Sequence, residues 1–131
     1  MICLDKVIFF EIPADNSARA RQFYNSIFDW KMNDVPEMHY TQIETVEADR
    51  MGVRGKPKEA GAINGGMVER KREQVESPVI YVSVEDIDKT AASIEKHGGK
   101  VIKSKSPVGN FGFAAYFKDI EGNTIGLWQF A

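Results

Sequence analysis

The chain repeats one pattern of apolar and polar residues after an interval of 70 positions. "VIFFEI" at 7–12 and "PVIYVSV" at 78–84 both alternate like strands, and helical patterns follow them at 17–28 and 87–97. The shift of 70 aligns the strand, the start of the helix and the helix itself. Further strand-like stretches follow in each half. The repeat therefore predicts an α+β chain built from two units with the same order of elements.

Length and composition limit how independent these units can be. The chain has 131 residues, of which 43% are hydrophobic and 27% are charged. Neither half has enough apolar surface to fold alone, so we expect one domain over residues 1–131. Its first module would span about 5–70 and its second about 77–131. The polar stretch "RKREQVES" at 70–77 is predicted to be a linker.

Several classes of function are excluded by charge and hydropathy. The formal net charge is −2, and the densest basic stretch, 69–74, is interleaved with Glu, so no nucleic-acid partner is expected. No apolar run is long enough to span a membrane, and Asp5 and Lys6 interrupt the apolar start. The lone cysteine, Cys3, cannot form an internal disulfide and is read as a bystander thiol. A cytoplasmic protein is the expectation.

Four stretches resemble the glyoxalase/bleomycin-resistance/dioxygenase superfamily, also called vicinal oxygen chelate proteins. They are "EIPADNSARARQFYNSIFDWKM", "AINGGM", "YVSVEDIDKTAASIEKHGGKVI" and "YFKDIEGNTIGLWQ". The resemblance covers about residues 7–130 and points to a lactoylglutathione-lyase-like member. It implies an α+β fold in which two tandem βαβββ modules form an eight-stranded, incompletely closed barrel around a cavity.

The resemblance also implies where a metal would be held. In family enzymes of the glyoxalase I kind, His, Glu or Gln side chains on the first and last strands of each module bind a divalent ion. The matching positions are Phe9 and Val79 on the first strands, and Gly66 and Gly126 on the last. None has an oxygen or nitrogen donor in its side chain, and such ions need several. We therefore predict no metal and no cofactor.

Strand alternation predicts the residues that face the cavity. Glu11 is the ionisable residue placed there, so it is the candidate catalytic group; the histidines, His39 and His97, do not make a site. Gly126 deletes a side chain, which predicts space beside Trp128, although a filled core with no room for a ligand stays open. The predicted ligand-binding residues are Phe9, Asn64, Gly66, Val79, Tyr81, Gly126 and Trp128.

This lining is mostly apolar and aromatic, which favours a small and partly aromatic ligand. The first hypothesis is a metal-independent small-molecule-binding protein. The alternative is a lyase or isomerase related to lactoylglutathione lyase, in which Glu11 transfers a proton. A third hypothesis is a purely structural role through dimerisation. Related proteins are often dimers, so a homodimer is expected, and the sequence leaves open whether the chain is an enzyme.

Overall fold

The computed structural model describes residues 4–48 and 56–131. Cys3 and residues 49–55 of the predicted loop at 48–61 lie outside this part of the chain. The described residues form two compact units. We call residues 9–78 the N-terminal unit, and residues 79–131 with those before Phe9 the C-terminal unit.

The N-terminal unit is a four-stranded sheet with one long helix. Its strands lie in the order β2-β3-β4-β1; β1 and β4 are parallel, and the other neighbours are antiparallel. The predicted linker at 70–77 begins with a helical turn, because α2 follows β4 directly. The elements are β1 Lys6–Ala14, whose first three residues belong to the C-terminal unit, α1 Ser17–Phe28, β2 Lys31–Val35, a 3-10 turn Pro36–Met38, β3 Tyr40–Glu44, β4 Gly65–Glu69 and α2 Arg70–Glu73.

Helix α1 begins where the sequence offers a capping side chain. Asn16 Oδ1 accepts a hydrogen bond from the Arg19 backbone N–H at 3.0 Å, which satisfies one amide of the first turn. The helix ends before Asp29, whose left-handed backbone has φ 59°. Ala20 and Tyr24 pack against the sheet, on a cluster that contains Ile43 and other buried side chains.

Three apolar residues of the same helical pattern are exposed. They are Phe23, Ile27 and Phe28, at 58%, 55% and 54% of their full exposure. Together with Ala20 and Tyr24 they form an apolar stripe that is wider than the contact with the sheet. Phe28 instead stacks on Trp30, with ring centroids 5.0 Å apart.

The C-terminal unit has a corresponding order of elements. Its strands lie in the order β5-β8-β7-β6, with β5 and β8 parallel and the remaining neighbours antiparallel. The elements are β5 Val79–Ser83, α3 Ile87–Lys96, β6 Lys100–Val108, β7 Gly112–Lys118 and β8 Thr124–Phe130. One side of this sheet packs on α3 through Ile87, Ala115 and Leu127.

Helix α3 is bounded like α1. Asp86 Oδ1 accepts a hydrogen bond from the Lys89 backbone N–H at 3.1 Å, and Gly98, just after the helix, has a left-handed φ of 97°. The capping residues Asn16 and Asp86 are 70 positions apart, as are the first residues of the two helices. These correspondences support the internal repeat, which stays a prediction until the units are superposed.

The predicted fold class is confirmed. Among the described residues there are eight strands and three helices, and each unit contains the order β-α-β-β-β of an α+β fold. Parallel and antiparallel pairs are mixed within each unit. None of the described helices has the length and apolar character needed to cross a membrane.

Candidate functional site

Each sheet has a face that does not pack on a helix, which we call the helix-free face. In the N-terminal unit, Phe10, Ile12 and Met67 belong to the cluster beneath α1. Alternation therefore places Phe9, Glu11, Asn64 and Gly66 on the helix-free face. In the C-terminal unit the same argument from Val82 and Leu127 applies. It assigns the other predicted site residues to that unit's helix-free face; they are Val79, Tyr81, Gly126 and Trp128.

A buried carboxyl lies on the helix-free face of the N-terminal unit, on the end strand β1. Glu11 is 3% exposed, and its register partner on β4 is Gly66. Gly66 is in turn the partner of Gln42 on β3. The three positions form one row across the strands, with an amide and a carboxyl on either side of a residue without a side chain.

The space above Gly66 is occupied by Tyr40. A Cβ atom built on Gly66 would overlap the Tyr40 hydroxyl oxygen, so the phenol lies directly over the glycine. Glycine is required here because any side chain would displace that ring. The sequence analysis missed Tyr40, although its place on β3 and the glycine at 66 are both visible in the chain. What the sequence does not give is the register that brings the two together.

The helix-free face of the C-terminal unit carries a hydrogen-bonded pair of tyrosines. Tyr81 and Tyr116 are the register partners of Gly126 on its two sides. Their hydroxyl oxygens are 2.9 Å apart, and their exposures are 2% and 3%. Tyr116 was also missed by the sequence analysis, because β7 was not assigned any site residue.

The predicted space beside Gly126 is absent, which corrects the sequence-based expectation. A Cβ atom on Gly126 would lie 2.7 Å from Cδ2 of the Tyr81 ring, so the ring fills the volume above the glycine. Trp128 is fully buried, and its indole lies over Gly112 rather than Gly126: a Cβ there would be 2.7 Å from Cζ2. Both glycines serve close packing by an aromatic ring. At Gly126, the filled core considered in the sequence analysis is therefore the correct alternative.

The comparisons with known proteins decide the family. The model of the Glyoxalase/Bleomycin resistance protein/Dioxygenase superfamily matches residues 6–127. The chain belongs to this superfamily.

Individual relatives agree with the superfamily assignment. A glyoxylase-like domain-containing protein from Didymella fabae is 28% identical over 126 residues, which are 95% of this chain and 93% of that protein. A hypothetical protein from Bacillus halodurans is 14% identical with a TM-score of 0.63, over 97% and 95% of the two chains. A methylmalonyl-CoA epimerase from Streptomyces coelicolor, in complex with 2-nitronate-propionyl-CoA, is 15% identical with a TM-score of 0.61, over 98% and 96%. At these identities the solved structures show a shared fold.

The superfamily's metal chemistry does not fit the residues of this chain. Phe9, Val79, Gly66 and Gly126 lie on the first and last strands of their units and supply no donor atom. Tyrosine rings cover both glycines. Within residues 4–48 and 56–131, no group of three or more His, Cys, Asp or Glu side chains could hold a metal ion.

The two histidines make their contacts elsewhere than at these four strand positions. His39 Nδ1 is 3.0 Å from Glu69 Oε2, in an exposed hydrogen bond of the N-terminal unit. His97 follows α3, where its Nδ1 is 2.8 Å from the Ser93 carbonyl oxygen. Each of these contacts lies within one unit, and among the described residues neither histidine belongs to a group of three or more His, Cys, Asp or Glu side chains that could hold a metal ion.

Asn64 provides the remaining polar group of the helix-free face in the N-terminal unit. Its Oδ1 accepts hydrogen bonds from the backbone N–H groups of Thr45 and Val46, at 2.7 Å and 3.0 Å. The residue is 8% exposed, and its Nδ2 has no hydrogen-bond partner in the part of the chain that the structure describes. Asn64 thus fastens the chain after β3 with one end of its amide and leaves a buried donor at the other.

A separate surface cleft lies at the start of α1. Its volume is about 340 Å³, and Ala20, Phe23 and Tyr24 contribute its apolar wall. Arg70 also lines it, but this guanidinium group is held by Asp15 at 3.1 Å and by the Pro13 carbonyl oxygen at 3.4 Å. The contacts of Arg70 give it a structural role, since they tie α2 to the end of β1.

Proposed function

We propose that the chain is a metal-independent small-molecule-binding protein. One observation carries the proposal: Gly66, a position where the superfamily resemblance implies a metal ligand, lies opposite buried Glu11 and beneath the Tyr40 phenol. A carboxyl, a phenol and the Asn64 amide on a face that also bears Phe9 provide polar groups within an apolar surface. That combination is typical of sites that bind small organic molecules.

The proposed ligand is small and partly aromatic. Phe9 is 4% exposed, and the Tyr40 ring lies on the same face, so a planar apolar group would find aromatic partners there. Val79, Tyr81, Gly126 and Trp128 are proposed as ligand contacts of the C-terminal unit, where the Tyr81 and Tyr116 hydroxyls add polar character. A ligand on that face would have to displace the Tyr81 ring from Gly126.

A fragment screen without metal tests the proposal. Untagged protein, treated with EDTA and dialysed, would be screened against small aromatic amides, acids, ketones and quinones by ligand-observed NMR. Binding that persists after chelation and weakens in Glu11→Gln supports the proposal. Binding that appears only after Zn²⁺ or Ni²⁺ is added would contradict metal independence, and a complete absence of binders would contradict the binding function.

Proton transfer by Glu11 is the second candidate function. It is favoured by the burial of this carboxyl at 3% exposure, on the face where a ligand is proposed to bind. The test is turnover of the hemithioacetal of methylglyoxal and glutathione, with and without Ni²⁺ or Zn²⁺. Metal-free turnover that disappears in Glu11→Gln would establish an enzyme. Glu11→Asp is the matched variant, because it keeps the carboxyl but withdraws it by one methylene.

A homodimer and a cytoplasmic location stay predictions. The exposed apolar side chains Phe23, Ile27 and Phe28 on α1 support association with a second copy of the chain. Light scattering coupled to size-exclusion chromatography would measure the mass in solution. Replacement of Phe23 and Ile27 by Ser would convert a dimer that uses this helix into a monomer.

A further inference from the structure

The orphaned donor of Asn64 identifies what kind of group the N-terminal unit can recognise. The two backbone N–H groups at Thr45 and Val46 fix which end of the amide is the oxygen, because each of them needs an acceptor. The NH₂ end therefore points away from these amides. With 8% exposure, the residue has little access to water that could accept a hydrogen bond.

An unsatisfied buried donor is costly. It destabilises a protein by roughly 1–3 kcal/mol, and most buried polar groups have a partner for that reason. The carbonyl end of Asn64 would be retained equally well by Asp, whose carboxylate accepts from backbone N–H groups. The amide nitrogen therefore calls for an acceptor that the described residues do not provide.

Glu11 is a diagonal neighbour of Asn64 across the β1–β4 pair, so one small ligand could bridge the two side chains. Gly66 is the register partner of Glu11, and Asn64 lies two residues before Gly66 on the same face. Two residues along a strand span roughly 6–7 Å and adjacent strands lie about 4.8 Å apart, so the Cα atoms of Glu11 and Asn64 are about 8 Å apart along the diagonal. An amide group flanked by two hydrogen bonds of about 2.9 Å, one at its oxygen and one at its nitrogen, covers a comparable distance.

We infer that the helix-free face of the N-terminal unit recognises a primary or secondary carboxamide, or a lactam, on a small apolar molecule. The ligand carbonyl oxygen accepts from Asn64 Nδ2, and the ligand N–H donates to a Glu11 carboxyl oxygen. Phe9 contacts the apolar part of the ligand. This inference rests on the proposed function and adds the chemical class of the ligand to it.

Benzamide and benzamidine are the probes, used with the full chain. Their shapes are nearly the same, but benzamidine has N–H donors in place of the carbonyl oxygen. In ¹⁵N-labelled protein, benzamide should shift the side-chain NH₂ signals of Asn64, which are assigned by their loss in Asn64→Asp. Asn64→Asp keeps the acceptor for Thr45 and Val46 and replaces only the orphaned donor.

The variant should reverse the preference between the probes. Loss of one ligand hydrogen bond weakens benzamide binding by about tenfold, and benzamidine should bind Asn64→Asp more tightly than benzamide does. Asn110→Asp, at an exposed turn of the C-terminal unit, adds the same charge elsewhere and should leave both affinities unchanged. Circular dichroism would verify that the variants fold.

The other outcomes overturn the inference. Suppose that benzamide binds Asn64→Asp as tightly as the wild type, or leaves the Asn64 NH₂ signals unmoved. Either result would mean that the Asn64 amide does not hydrogen-bond the ligand. If benzamide does not bind but another fragment of the screen does, the carboxamide class is wrong while the binding function stands. If no fragment binds at all, the proposed function fails with it. Should Asn64→Asp not fold, the wild-type NH₂ signals would be assigned by their nuclear Overhauser effects to the backbone N–H groups of Thr45 and Val46, and their shift with benzamide alone would decide.

Discussion

The Tyr81 ring lies across Gly126, its partner in the parallel β5–β8 pair, and reaches the hydroxyl of Tyr116 on the far side of the glycine. The glycine is therefore what allows two tyrosines on either side of β8 to meet. In the N-terminal unit, Gly66 is covered in the same way by a tyrosine, although that ring comes from β3. Glycine on the last strand of each unit makes room for a phenol.

Gly126→Ala should be destabilising. The new methyl group would lie 2.7 Å from the Tyr81 ring, and overpacking of this kind costs about 1–3 kcal/mol. Urea unfolding followed by circular dichroism would measure the loss in free energy of unfolding. A loss within error of zero would mean that the ring moves aside freely, and that the glycine is not required for packing.

A double-mutant cycle separates this clash from the intrinsic effect of alanine in a strand. Tyr81→Ala removes the ring, so Gly126→Ala should cost much less in that background than in the wild type. If the cost is the same in both backgrounds, the destabilisation does not come from contact with Tyr81. Gly66→Ala, tested with and without Tyr40→Ala, is the matched cycle in the N-terminal unit.

The local elements of this chain were predictable because their signals are local. Helix α1 was expected at 17–28 and is observed there, since Asn16 is a capping residue next to a helical pattern. The sequence "HGG" after α3 offers Gly98 or Gly99 for a left-handed helix stop, and Gly98 has that backbone conformation, which few other residues adopt readily. In both cases, neighbours a few positions apart determine the conformation.

The packing over the glycines was not predictable in the same way. Alternation assigns Gly126 to a face, but it does not state which side chain from another strand lies above it. That depends on the register between β5, β7 and β8, and residues 81, 116 and 126 are far apart in sequence. The space predicted beside Trp128 was wrong for this reason. The exposure of Phe23 on α1 likewise depends on how much of the helix the sheet covers.

The hydroxyl pair of the C-terminal unit should contribute measurably to stability. Tyr81→Phe and Tyr116→Phe each remove one partner of a buried 2.9 Å hydrogen bond, so each should lower the free energy of unfolding by about 1 kcal/mol. The double Phe variant should lose less free energy of unfolding than the sum of the two single losses, because the one hydrogen bond between the hydroxyls can be lost only once. Strictly additive losses in the denaturation midpoints would contradict an interaction between the two groups.

The turn between β7 and β8 should weaken in acid. The backbone N–H of Asn123 donates to Asp119 at 2.9 Å and its side-chain amide donates at 3.1 Å, and these bonds hold the pKa of the Asp119 carboxyl below its ordinary value of 3.8. Because the folded state favours the carboxylate, the stabilisation is present above pH 3.8 and is lost as the pH falls through the lowered pKa.

Asp119→Asn tests this dependence. The difference in melting temperature between the wild type and the variant should be largest near neutral pH and should shrink as the pH falls below 3.8. Asp5→Asn, at an exposed position before β1, is the control for the loss of one negative charge. A difference between Asp119→Asn and the wild type that does not change with pH would exclude the carboxylate as its source.

The purified protein should contain no stoichiometric metal ion. Phe9 and Val79 present apolar side chains, and Gly66 and Gly126 present none, so the positions where the superfamily resemblance implies metal ligands supply no donor. Elemental analysis of untagged protein, made without chelator and again after dialysis against EDTA, would measure the metal content per chain. Added Zn²⁺ or Ni²⁺ should leave the melting temperature unchanged, because an ion that binds only the folded state would raise it.

The double variant Gly66→His, Gly126→His places donor side chains at two of these positions. Tyr40 and Tyr81 occupy the space that the new side chains need, so the double variant should lose stability rather than gain metal affinity. One tightly bound divalent ion per wild-type chain, whose removal lowers the melting temperature, would contradict the proposal that this chain functions without a metal.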